Sequence, residues 1–118
     1  MAVEAKDLDG IAATLAPDVV FHTPVKYRPF EGREMVMVLF GVLLEIFEDF
    51  RYTDELAGPD TLALVFAARV GDREVEGLDL LRFDATGAIV DFTVMVRPLS
   101  AAQALAEAVG RGLGLVTD

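Results

Sequence analysis

A chain of 118 residues, 53% of them hydrophobic, is sized for a single domain over residues 1–118 with a core of its own. Its formal net charge of -10, with ten basic residues scattered and never clustered, excludes the positive surface that nucleic acid requires and disfavours anionic membranes and strongly anionic substrates. Zero cysteines exclude disulfides, thiol nucleophiles and thiolate metal sites, and a single histidine excludes a multi-histidine metal cluster, so no metal is expected.

At the start of the chain Glu4, Asp7 and Asp9 break any signal-peptide pattern, which makes the cytoplasm the expected compartment. From Asp7 to Leu15 the apolar residues Leu8, Ile11, Ala12 and Leu15 fall at helical spacing, and Pro17 is expected to end that short helix. The run DVVFHTP at 18–24 is β-branched and aromatic and reads as a strand closed by Pro24. An irregular loop follows through Pro29 to Gly32, in which Phe30 is a candidate for a short second pairing.

Residues 33–49 predict a long helix, because Glu34, Gly41, Glu45 and Glu48 share one stripe and leave the other faces apolar. Such a helix should be covered on most sides, and Gly41 at its centre suggests a close approach by another backbone. Its longest apolar run, Met35 to Leu44, reaches about half the length of a bilayer span.

After Phe50 the period changes to two. FRYTDEL, TLALVFAARV, REVEGLDLLRF and AIVDFTVMVRP are separated by Gly-Pro-Asp, Gly-Asp and Ala-Thr-Gly turn signals, the pattern of a four-strand antiparallel meander. Both faces of its last two strands are apolar, so one should meet helices or a cavity and the other a second sheet or subunit. Leu99, Ser100 and Gln103 then suggest a capping-box start for a helix that Gly110 or Gly112 ends, with the final LGLVTD expected to fray. The order helix, strand, helix, four strands, helix is that of an α+β fold with its helices on one face of a curved sheet.

Asp79 lies among Val75, Leu78, Leu80, Leu81 and Phe83. A carboxylate in so apolar a ribbon is either an acid, base or hydrogen-bonding group in a cavity, with burial raising its pKa, or a structural partner of Arg97 or Arg69. His22 is the side chain whose ordinary titration lies nearest neutrality; if Thr23 points inward, alternation turns His22 outward. Tyr27 and Tyr52 could each offer a phenol to a ligand carbonyl or simply pack. Glu45, Glu48, Asp49, Asp54 and Glu55 read as a solvated face, and Asp91 as lying opposite Phe92 and Val94, exposed or at an interface.

The combination of LAPDVVFHTP, a loop ending FEG, a long helix, a meander with a glycine at its last hairpin and the strand GAIVDFTVMV resembles the SnoaL-like polyketide cyclases and ketosteroid isomerase, of the α+β superfamily named for nuclear transport factor 2. The resemblance implies a cone-shaped, curved, mostly antiparallel sheet packed by three helices around an apolar pocket. It also implies a homodimer through the outer sheet face, with Ile89, Thr93 and Met95 in the interface. Its chemistry would be cofactor-free acid–base catalysis on an apolar carbonyl compound. Asp79 or His22 would be the catalytic groups, and Thr23, Tyr27, Tyr52, Phe92 and Val94 would contact the ligand. Thr23 stands where ketosteroid isomerase holds its catalytic aspartate, and a threonine hydroxyl cannot replace that base near neutral pH. Asp79 aligns with a pocket histidine of the cyclases, while Val94 stands where their catalytic aspartate sits. The family's first helix is usually longer than the segment before Asp7, which implies a less covered mouth, and the Asp-Arg-Asp set of limonene epoxide hydrolase has no equivalent here. Two readings follow: a SnoaL-like small-molecule isomerase or cyclase, or a non-catalytic ligand-binding accessory or dimerisation module. A cavity below about 300 Å³ would be too small for a polycyclic ligand.

Overall fold

A computed structural model describes residues 8–113. Its elements are α1 (Leu8–Thr14), β1 (Leu15–His22), β2 (Phe30–Glu31), α2 (Arg33–Ile46), β3 (Glu48–Ala57), β4 (Thr61–Val70), β5 (Arg73–Phe83), β6 (Ile89–Arg97) and α3 (Leu99–Leu113). Glu4 and Asp7, and all of LGLVTD beyond Leu113, lie outside the described residues. The six strands form one curved, unclosed mixed sheet in the order β2-β1-β6-β5-β4-β3. The meander β3 to β6 is antiparallel throughout, and β1 joins it by a parallel pairing with β6. Phe30 does make the short pairing, opposite Phe21.

Local chemistry sets the hairpins. Gly71 and Asp72 form the two-residue link between Val70 and Arg73, with Gly71 at φ 60, a backbone region closed to most side chains and suited to a twisted hairpin. At the β5–β6 turn the Asp84 carboxylate accepts hydrogen bonds from the amides of Thr86 and Ala88. The same turn brings Gly87 to φ 86.

The core lies between the concave face of the sheet and the helices. From α2, Val36, Leu39, Phe40 and Leu44 are buried, and from α3, Ala101, Leu105 and Val109, in both cases at the spacing of one helical face. The sheet contributes Phe21, Leu64, Phe66, Val75, Leu81 and Phe92. Each large side chain so buried contributes about 1.5–3 kcal/mol relative to exposure.

Several expectations change. Helix α2 ends at Ile46: the buried Phe47 takes extended dihedrals, and Glu48 to Phe50 belong to β3. Asp49, at φ 54, sits where the β3–β4 register shifts. The helix is less covered than its composition implies, since Met35 and Val38 on its outer side are half exposed. A Cβ on Gly41 would meet nothing within 4 Å, whereas one on Gly112 would lie 2.5 Å from Val42, so the close approach belongs to α3. That helix runs through both Gly110 and Gly112. It opens at Leu99, the Pro98 carbonyl accepting the amides of Ala101 and Ala102, which places Ser100 inside the first turn. Strand β1 begins at Leu15 and carries Pro17 in the stretch where its register with β6 is irregular, the sort of position a proline tolerates.

Candidate functional site

On β5 the buried residues Val75, Gly77, Asp79 and Leu81 alternate toward the helices. Asp79 is therefore placed inward by the same periodicity that buries its apolar neighbours. It is 4% exposed, and it is the one buried polar or charged residue among those described. In the sheet it lies between Leu64 of β4 and Val94 of β6.

The carboxylate is held by a phenol. The Tyr52 hydroxyl donates to Asp79 Oδ2 at 3.3 Å. Tyr52 reaches it because Phe50 and Tyr52 share the inner face of β3, their rings edge to face at 5.0 Å. Neither arginine considered as a partner pairs with Asp79: Arg97 binds Glu76 at 3.2 Å, and Arg69 binds Glu48 and Asp49, each at 3.2 Å. Burial without a cation raises the Asp79 pKa from 3.8 to about 7, and the Tyr52 hydrogen bond lowers it by a lesser amount.

Asp79 faces a cavity of about 30 Å³ lined by Thr23, Val25, Leu43, Phe47, Phe66, Phe92, Val94 and Leu105 among others. That is room for about two waters and far below what a polycyclic ligand needs. Two aromatic clusters fill the remaining space. Phe21 stacks on Phe92 at 4.8 Å with Phe40 edge-on to both, and Phe50 stacks on Phe66 at 4.8 Å beside Phe47.

The structure separates the other candidates. Thr23 faces the cavity, its Oγ accepting the Val25 amide at 3.2 Å. Phe92 and Val94 line the same space. His22 turns the other way: its Nε2 lies 3.2 Å from Asp91 Oδ2, beside Thr93, and it takes no part in the cavity lining. Tyr27 is 97% exposed, in the loop after β1, and does not reach the cavity. Ile89 is buried on the core side, not at the outer face, because Arg82 pairs with Asp91 while Phe83 pairs with Ile89. The extra residue, Val90, forms a bulge that reverses the alternation expected for β6. The Tyr52 to Asp79 bond joins residues 27 apart and so leaves little trace in the chain beyond the spacing of two between Phe50 and Tyr52. Among the described residues no group of three or more His, Asp or Glu side chains is arranged to hold a metal ion. No helix among them is long and apolar enough to cross a membrane.

The sequence profile of SnoaL-like domains matches residues 1–92. The chain belongs to the SnoaL-like domain family. Among solved structures, this SnoaL-like chain is similar to a steroid delta-isomerase from Pseudomonas aeruginosa, with 44% identity, a TM-score of 0.91, and coverage of 96% of this chain and 84% of that one. It is also similar to an uncharacterised protein with a cystatin-like fold from Silicibacter pomeroyi, at 34% identity and a TM-score of 0.89, covering 92% of this chain and 77% of that one. An NTF2-like protein of unknown function from Mesorhizobium loti, 17% identical with a TM-score of 0.73, shares the fold over 82% of this chain and 83% of its own. Comparison with curated proteins returns no match. Within the cavity of this SnoaL-like domain, Asp79 is the sole ionisable lining residue, and Thr23 contributes an uncharged hydroxyl.

Proposed function

We propose that this SnoaL-like domain binds a neutral, apolar carbonyl compound and moves one of its protons, with Asp79 as the acid–base group. The observation that carries the reading is the Asp79 carboxyl itself, buried in an apolar wall with a phenol for a partner and a pKa of about 7. A group poised there is half ionised at neutral pH and can both take and return a proton, which is the optimum for general acid–base work. The carboxylate accepts a proton from the carbon next to the carbonyl, and the C–H electron pair moves to the oxygen as an enolate. The same acid then returns the proton to a second carbon as the double bond shifts, so no atom or charge is gained or lost. The single Tyr52 O–H, given to the Asp79 carboxylate in the resting site, is released when Asp79 takes the proton and can then turn to donate to the developing oxyanion. The likeness to a protein called a steroid delta-isomerase supports this class of reaction.

The test uses a β,γ-unsaturated bicyclic ketone, with formation of the conjugated enone followed by ultraviolet absorbance. The expected kcat/KM rises with pH to a plateau above about 7, and Asp79→Asn loses at least 100-fold. Turnover that survives Asp79→Asn would refute the assignment. The second reading, a non-catalytic binding module, is favoured by the uncharged Thr23 in the cavity wall, where the resemblance to ketosteroid isomerase would put a carboxylate base; binding of the ketone without conversion at any pH would select it.

The same proposal includes a homodimer through the outer sheet face, supported by the half-exposed Met95 and the partly exposed Leu78 and Leu80. Sedimentation at the mass of a monomer would remove it. A cytoplasmic location also belongs to the proposal, and recovery of the protein in a secreted or membrane fraction would remove it.

A further inference from the structure

Resting on the reading of Asp79 as the acid–base group, we infer that Phe50 is a positioning residue for it: the Phe50 ring fixes the phenol of Tyr52 so that its O–H meets the Asp79 carboxyl.

The backbone alone gives Tyr52 little support. Strand β3 is an edge of the sheet, so Tyr52 has a neighbouring strand on one side only. The register of β3 with β4 shifts between Glu48 and Arg51 and again between Tyr52 and Asp54, which leaves Arg51 and Tyr52 as the two residues in regular pairing between two irregularities. A ladder interrupted in this way is locally disrupted. The aim of the Tyr52 ring therefore depends on what the ring packs against.

What it packs against is an aromatic column. The Phe50 ring meets the Tyr52 ring at 5.0 Å and 89°, and stacks on Phe66 at 4.8 Å and 23°. Phe47 closes the column, 5.8 Å from Phe50 and 5.7 Å from Phe66. Its base is Gly77: the Cζ of Phe66 lies 2.1 Å from where a Cβ would be, so the ring takes the space of the missing side chain and Phe50 can stack on it. The column leaves β5 at Gly77, crosses β4 and β3, and returns to β5 at Asp79, the next inward position, where the Tyr52 hydroxyl lies 3.3 Å from Oδ2. With the ring fixed, the O–H can swing about its C–O bond alone, which is the one movement needed to pass from the carboxylate to a developing oxyanion.

Phe50 also lines the cavity, and the two roles act on Asp79 in opposite directions. A ring that only excludes water would, when removed, wet the carboxyl and let its pKa fall toward the ordinary value. A ring that holds Tyr52 would, when removed, loosen the hydrogen bond that lowers the pKa, and the titration would move up. Asp79 has no ionisable neighbour in the cavity lining, and the charged group in its cross-strand row, Glu55 opposite Leu64, is exposed at the sheet edge.

The experiment is a carbon-13 titration of the Asp79 carboxyl in Phe50→Leu, Tyr52→Phe and the double variant, with turnover of the β,γ-unsaturated bicyclic ketone measured on the same proteins. In Phe50→Leu the midpoint is expected to rise above that of the wild type, with kcat lowered at least tenfold and KM changed by less than about twofold. In the Tyr52→Phe background, Phe50→Leu should bring no further rise and no further loss of kcat. Phe50→Met, a flexible side chain without a ring, should act in the same direction and carries the test if the leucine variant does not fold. A midpoint that falls or stays in place, or a double variant whose effects are the sum of the two single ones, would overturn the positioning role and leave the Asp79 assignment intact. The expected midpoints together with turnover that survives Asp79→Asn would support the Phe50 to Tyr52 contact and defeat the acid–base reading instead.

Discussion

Replacing Asp79 with asparagine is expected to stabilise the fold by about 4 kcal/mol at pH 8 and to leave it nearly unchanged at pH 4. The carboxyl is raised from 3.8 to about 7 by burial, so the folded chain holds this proton more tightly than the unfolded chain does. Its favourable contribution is complete below 3.8 and is lost as the pH rises through 7. Over that window the loss is about 1.4 kcal/mol per pH unit, and above it the curve flattens. Asparagine keeps the shape and an acceptor for the Tyr52 hydroxyl but has no charge to desolvate. Urea unfolding of both proteins from pH 4 to 8 checks this. The diagnostic result is a gap that opens with pH; parallel curves would mean that the wild-type carboxylate is solvated. A side chain whose removal stabilises the protein at working pH is retained for some reason other than stability, which is the link from this energy to function.

Gly77→Ala is expected to destabilise by about 3 kcal/mol, although glycine to alanine in ordinary extended backbone usually gains a few tenths. A Cβ at Gly77 would lie 2.1 Å from Cζ of Phe66, its cross-strand partner. The ring has nowhere to go: Phe66 is 1% exposed, stacked on Phe50 and met edge-on by Phe47. Gly77→Ala combined with Phe66→Leu should therefore cost much less than the sum of the two single changes, because each removes one side of the same clash. Additive values in denaturant titrations of the four proteins would show that the phenylalanine repacks elsewhere. The consequence reaches the site, since Phe66 and Asp79 line one cavity and a displaced ring would fill what space it has.

Much of this was legible in the chain. Alternation along β5 put Asp79 inward among apolar neighbours, and the turn signals at Gly71 and Gly87 marked the hairpins that the structure has. Alternation also settled His22 against Thr23 once one of them was known to face the cavity. What was hidden depends on distant contacts or on single irregularities. The bulge at Val90 adds one residue to β6 and so moves Ile89 from the outer face into the core. The end of α2 was misplaced because Phe47 and Phe50 continue an apolar pattern, and only their packing against Phe66 makes that segment extended. Gly41 and Gly112 look alike as small residues in helices, and the one that matters is identified by Val42 on a different helix. The parallel pairing of β1 with β6 joins segments far apart in the chain and leaves no local signature.

The most direct test of the account is a carbon-13 NMR titration of the Asp79 side-chain carboxyl in the free protein. The account predicts a midpoint near 7, moving higher in Tyr52→Phe, where the hydrogen bond that lowers it is gone. A midpoint near 4 would mean a solvated carboxylate in no way poised for proton transfer, and would contradict it.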